Sequence, residues 1–108
     1  MLLEYKTRAI RNEFGRLTTV MQLLTYIIAV IYRFVTGRAM VVTAIIEGPH
    51  DPSGLHPLGR AIDVRSNTLT KRQKEEFETI ISFFSGIFGG FAFLESPGEE
   101  QEHYHIQI

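Results

Sequence analysis

A chain of 108 residues has room for one domain, 1–108, and none for a second of ordinary size. Eleven Lys and Arg against twelve Asp and Glu leave a formal charge of −1, so no basic field of the kind a phosphate backbone demands is present and nucleic acid is not an expected partner. The absence of cysteine excludes disulfides and thiolate metal sites, so any metal must be held by His, Asp or Glu.

In chain order, Met1 to Phe14 mixes five charged residues with apolar ones and shows no secretory signal pattern, which implies synthesis in the cytoplasm. From Leu17 through Val20, Met21, Leu24, Ile27, Ile28, Ile31, Phe34 and Val35 the apolar spacing predicts a helix with a broad buried face, stopped by Gly37. The most apolar run, Leu23 to Tyr32, falls short of the ~20 residues of a membrane span, so a core helix without stable membrane insertion is expected. Residues 1–37 thus form a helical part, and 38–108 a sheet part carrying the chemistry.

Met40 to Ile46 reads as a strand, and the Pro- and Gly-rich stretch Glu47 to Gly59 as a loop of the kind that often carries function. Arg60 to Arg65 is a second strand. Thr70 and Gln73 form a capping box for a helix through Phe77, Ile81 and Phe84, ending near Gly86 to Gly90. Phe91 to Leu94 is a third strand, Ser96 to Gln101 a turn, and the alternation from His103 to Ile108 a fourth, half-buried strand. The expected class is α+β, with N-terminal helices on a small, mainly antiparallel sheet. The phenylalanines at 83, 84, 88, 91 and 93 are expected in the core, and the charges of Lys71 to Glu78 on a solvated helix face.

Strand alternation puts Asp63 on one face with Ala61 and Arg65, and His103, His105 and Gln107 together on one face of the last strand. If the two strands are neighbours, Asp63 and a histidine converge. A catalytic zinc takes three N or O ligands and leaves a fourth position for water; His56, Asp63 and His105 would supply that set, with His103 a competitor for His105 on the same face. Glu102, at the turn entering the last strand, is placed to act as the proton-transferring carboxylate, whereas its neighbours Glu99 and Glu100 read as solvated charges and His50 as a loop residue.

The stretch Ser53-Gly-Leu-His56-Pro-Leu-Gly59-Arg-Ala61-Ile-Asp63-Val-Arg65, followed by Glu102-His-Tyr-His105, resembles the D-alanyl-D-alanine carboxypeptidase family, which includes vancomycin-resistance D-Ala-D-Ala dipeptidases and phage L-alanyl-D-glutamate endolysins. The signature is His, two residues, Gly, one, Ala, one, Asp, then later Glu, two residues, His. The resemblance spans about Val41 to Ile108. It implies zinc held by His56, Asp63 and His105, Glu102 as general base, and hydrolysis of an amide in a peptidoglycan stem peptide or its terminal dipeptide. It also favours His105 over His103 as ligand and leaves His103 as a rim residue facing substrate.

The family's arginine after the first sheet strand has no counterpart in Thr43-Ala-Ile-Ile-Glu47, and Ser53 lies three rather than two residues before His56. Arg65, or else Arg60, is the expected substitute for binding a substrate carboxylate, with Ser53 and His103 as further contacts. The competing classes are a non-catalytic phage or wall-binding protein that keeps the metal as a staple, and a membrane-associated accessory protein using Leu23 to Tyr32. The site of action expected for a phage lysis enzyme is the cell wall or periplasm, otherwise the cytoplasm, and manganese or another divalent ion is an alternative to zinc.

Overall fold

The computed structural model describes residues 2–46 and 58–108. His50, Ser53 and His56, and most of the loop expected at Glu47 to Gly59, lie outside the described residues. Among the described residues the fold is α+β, with three helices and a mostly antiparallel sheet of five strands.

The strands are β1 (Leu3–Tyr5), β2 (Met40–Ala44), β3 (Ala61–Arg65), β4 (Phe91–Glu95) and β5 (His103–Gln107), in the spatial order β1-β2-β3-β5-β4. Only β1 and β2 run parallel. β1 departs from the expected helical character of 1–37. Three residues carry no period of their own, and the strand exists because Leu3, Glu4 and Tyr5 pair with Met40, Val41 and Val42.

Helix α1 (Arg8–Glu13) begins on the Thr7 side chain, and Glu13 at its end is buried, with Oε1 accepting from the Ile46 amide at 3.1 Å. Helix α2 (Thr19–Thr36) is capped by the Thr18 hydroxyl and stopped by Gly37 at φ 75°, a conformation that costs a residue with a Cβ about 1 kcal/mol or more. At 18 residues and mean hydropathy 1.5 it is long and apolar enough to cross a membrane by length and composition, yet 33% of it is buried inside the protein. Its buried face is Met21, Leu24, Thr25, Ile28, Ala29 and Tyr32.

Helix α3 (Lys71–Ile87) starts with the expected Thr70–Gln73 capping box. It packs on α2 and on the sheet through a chain of edge-to-face rings, Tyr32 to Phe77 at 5.2 Å and Phe77 to Tyr104 at 5.4 Å. Met40, Val42, Ile62, Val64 and Ile106 complete this core from the sheet. Three expectations about burial are corrected. Val20 and Phe34, expected on the buried face of α2, are exposed, because the helix packs only through the face from Met21 to Tyr32. Phe83, Phe91 and Phe93 are exposed, because they lie on the outer side of α3 and on the edge strand β4, while only Phe84 and Phe88 pack against the core. Lys74 is not a solvated charge of α3, for its ammonium reaches Glu102.

At the start of β4 the backbone comes very close to β5. A Cβ on Gly90 would run into the Gln107 carbonyl oxygen, so only glycine permits this approach.

Candidate metal centre

β3 and β5 are neighbours, and their register sets Asp63 against His105 and Arg65 against His103. β4, on the far side of β5, adds Phe93 opposite His105 and Glu95 opposite His103. Because side chains alternate, two rows, Asp63–His105–Phe93 and Arg65–His103–Glu95, share the sheet face turned away from Tyr104 and Ile106.

His105 is fully buried. Its Nδ1 lies 3.1 Å from Asp63 Oδ1 and 3.6 Å from Glu95 Oε1, while its Nε2 lies 2.7 Å from Gln107 Oε1. An amide oxygen only accepts, so Nε2 donates to it, and Nδ1, within hydrogen-bond distance of Asp63, meets the carboxylates through a second ring proton or, with a cation between them, through its lone pair. His103 repeats the arrangement. Its Nδ1 donates to the Gln101 carbonyl at 2.8 Å, and its Nε2 faces Asp63 Oδ2 at 3.4 Å and Glu95 Oε2 at 3.5 Å.

A nitrogen lone pair pointed at a carboxylate oxygen repels it unless a proton or a cation lies between them. An outer N–H fixed on an oxygen with the inner nitrogen turned toward a cation is how metal-ligating histidines are held. The ligand atoms of Asp63, Glu95 and His105 all lie within 4.8 Å of one another. Metal bonds of ~2.0–2.2 Å to N and O can bridge that separation, so this group could hold a metal ion. The Phe93 ring stacks at a tilt 5.1 Å from the His105 ring and gives the group an apolar flank.

Glu102 precedes β5 and sits in a different environment. It is 4% exposed, and Ser66 Oγ donates to its Oε2 at 2.7 Å, the Gly98 amide to its Oε1 at 3.0 Å, and Lys74 Nζ lies 2.8 Å from Oε2. Burial on its own would raise its pKa, but the Lys74 ammonium, the Gly98 amide and the Ser66 hydroxyl together outweigh it and hold the carboxyl down to about 2. Tyr104 donates to the Lys74 carbonyl at 2.9 Å, and its phenol is pushed up by burial and by the nearby charges of Glu78 and Glu102.

A cavity of about 390 Å³ joins the two environments, lined among others by Asp63, Glu95, Glu102, His103, Arg65 and Lys6. It adjoins a second hollow of about 560 Å³ that shares Lys6, Arg65 and Asn67. A larger cleft, about 830 Å³, lies elsewhere, between β1, α1 and α2, and among the described residues it has no converging set of metal-ligand atoms. The candidate metal group therefore lies at the smaller cavity.

Asp63 and His105 are brought together, and Arg65, His103 and Glu102 line the same cavity as Asp63. Arg60 is not brought to it. Its Nε donates to the Ile108 carbonyl at 2.8 Å, at the other end of β3 from Arg65. Glu95 and Lys6 were not singled out in the sequence. Glu95 ends a strand that reads as apolar, and only the β4–β5 register shows where it points; Lys6 follows β1, with its amide donating to the Val42 carbonyl at 2.9 Å. Comparison with family models, curated proteins and solved structures gave no match.

Proposed function

We propose that this chain is a zinc-dependent peptidase hydrolysing bacterial cell-wall peptides, either as an L-alanyl-D-glutamate endopeptidase of the endolysin type or as a D-Ala-D-Ala carboxypeptidase or dipeptidase. The observation that carries the reading is the convergence of Asp63 and His105, two residues that the His-Gly-Ala-Asp and Glu-His signature selects, with His103 and Glu95 beside them and the outer nitrogen of each imidazole tied to an acceptor. Asp63 and His105, with His56, would hold the ion, and His103 and Glu95 border it. Zinc bound there supplies Lewis acidity that activates water and polarises the amide carbonyl.

Arg65 and Lys6, at the same cavity, suit a substrate carboxylate and take the part of the family arginine that this chain lacks. Glu102 is the carboxylate proposed to take the proton of the attacking water. Its carboxyl is held near 2, well below the near-neutral range that suits a general base, and that observation weighs toward the non-catalytic reading. The site of action proposed is the cell wall.

A second reading has its own observation. A carboxylate engaged by Ser66, Gly98 and Lys74 is what a structural corner looks like, and it favours a non-catalytic protein in which the metal staples the sheet. Elemental analysis together with stem-peptide digestion read by mass spectrometry separates the two. The peptidase reading expects about one divalent ion per chain, cleavage by the parent, and a loss of ~10²–10⁴ in rate with metal retained in Glu102→Gln, while Glu99→Gln and Glu100→Gln stay at the parent rate. Bound metal with no cleavage by the parent supports the staple instead, and sensitivity at Glu95 in place of Glu102 moves the base to the other carboxylate.

A further inference from the structure

Helix α2 is apolar on both sides. Opposite the face buried in the core, Val20, Leu23, Tyr26, Val30 and Phe34 are exposed, Phe34 at 91%. At 1.5 Å per residue the stripe from Val20 to Phe34 is about 21 Å long, more than an isolated surface hydrophobe needs explaining by. There is no acidic residue anywhere in α2, and arginines stand at both ends, Arg16 before it and Arg38 after it, both exposed. The charge of the chain is split along the sequence in the same sense, although one of the N-terminal cations, Lys6, belongs to the cavity on the other side of the sheet. Residues 1–38 hold six basic and two acidic side chains, net +4, whereas 39–108 hold five basic and ten acidic, net −5, which together give the overall −1. Tyr26 also lines the 830 Å³ cleft, together with Leu2, Tyr5, Phe14 and Arg11.

We propose that the outer face of α2 docks on an anionic lipid bilayer, lying in the interface with Leu23, Val30 and Phe34 sunk among the acyl chains and Arg16 and Arg38 at the headgroups. An exposed apolar stripe flanked by basic residues is the pattern of an interfacial helix. The other face of α2 is core, so the helix lies on the bilayer and does not cross it. The sheet stands between α2 and the carboxylate–imidazole cluster, since Tyr32 packs on Phe77, Phe77 on Tyr104, and His103 and His105 point to the opposite face. A docked molecule therefore turns its cavity away from the lipid. This inference is independent of the peptidase reading.

The test is flotation of the full chain with vesicles of phosphatidylcholine alone and of phosphatidylcholine with phosphatidylglycerol, alongside sedimentation of the protein by itself. The expected result is a monomer that floats with the phosphatidylglycerol vesicles, at least tenfold less with neutral ones, and is largely released at 0.5 M salt. Leu23→Gln with Phe34→Gln, and separately Arg16→Gln with Arg38→Gln, should each lower the bound fraction several-fold while melting temperature and metal content hold, because these side chains lie outside the core and the cluster. A monomer that floats with neither vesicle overturns the proposal. So does equal binding to both, or a dimer that Leu23→Gln with Phe34→Gln converts to monomers, which would assign the stripe to a second copy of the chain.

Discussion

Two carboxylate environments lie at the ends of one small cavity and are built on opposite plans. At Glu102 the oxygens are met by donors from three different elements, the end of β3, helix α3 and the turn before β5. At Asp63 and Glu95 the facing atoms are the inner nitrogens of two histidines whose outer nitrogens already donate to Gln101 and Gln107. The first plan is complete with protein atoms and holds its charge as it stands. The second joins its carboxylates to imidazole nitrogens that can bind a proton or, in its place, a cation. Equal burial therefore says little about role, and the direction in which the neighbouring protons point says much more.

The contrast breaks most visibly at the metal ligands. His105→Ala and Asp63→Asn should each weaken divalent-ion binding by on the order of 10²-fold or more, exceeding the ~10–100-fold that loss of an outer partner usually costs. Competition against a chromogenic chelator measures this, and parent-like affinity in both variants would remove the cluster as a metal site. Next in size is Lys74→Met, which leaves the buried Glu102 carboxylate without its ammonium and should lower the stability of the metal-free protein by about 2–3 kcal/mol, below the ~3–5 kcal/mol of a fully buried pair because Lys74 is partly exposed. Urea unfolding in the presence of chelator reads it.

The same corner predicts a pH dependence. The folded pKa of Glu102 lies near 2, below its ordinary 4.5, so its contribution is present above about 4.5 and is lost as pH falls from there toward 2. The metal-free parent should lose stability across that window, and Glu102→Gln should show a flatter profile; coincident profiles would show that the corner does not bind its proton as described. The smallest effect sharpens the other side. Gln107→Leu removes the acceptor that fixes the His105 tautomer and should weaken metal binding about tenfold with little change in fold. No change in affinity would mean that Nε2 is not held by this contact.

Much of this was legible in the sequence because it is local. The Thr70–Gln73 capping box, the stop at Gly37 and the alternation of His103, His105 and Gln107 each declare themselves within a few residues, and all three appear in the fold. The convergence of Asp63 with a histidine depended on β3 and β5 being neighbours, which the register confirms. What stayed hidden depends on pairings between distant segments. β1 exists only against β2, Glu95 reaches the cluster only through β4–β5 pairing, and Lys74 looks like any exposed helical lysine until the turn at Gly98 brings Glu102 beneath it. The exposed stripe of α2 was hidden for another reason, since an apolar helix with two apolar faces gives a periodicity signal that reports only one of them.

Gly90 shows how far the chemistry reaches from its own residues. The backbone it allows into contact with the Gln107 carbonyl belongs to the residue whose side chain orders His105. A side chain at position 90 would wedge the edge strand away from its neighbour, disturbing Gln107 and, through β4, the placement of Glu95. A position that carries no functional group at all thus bears on both the pairing of β4 with β5 and the setting of the candidate metal group.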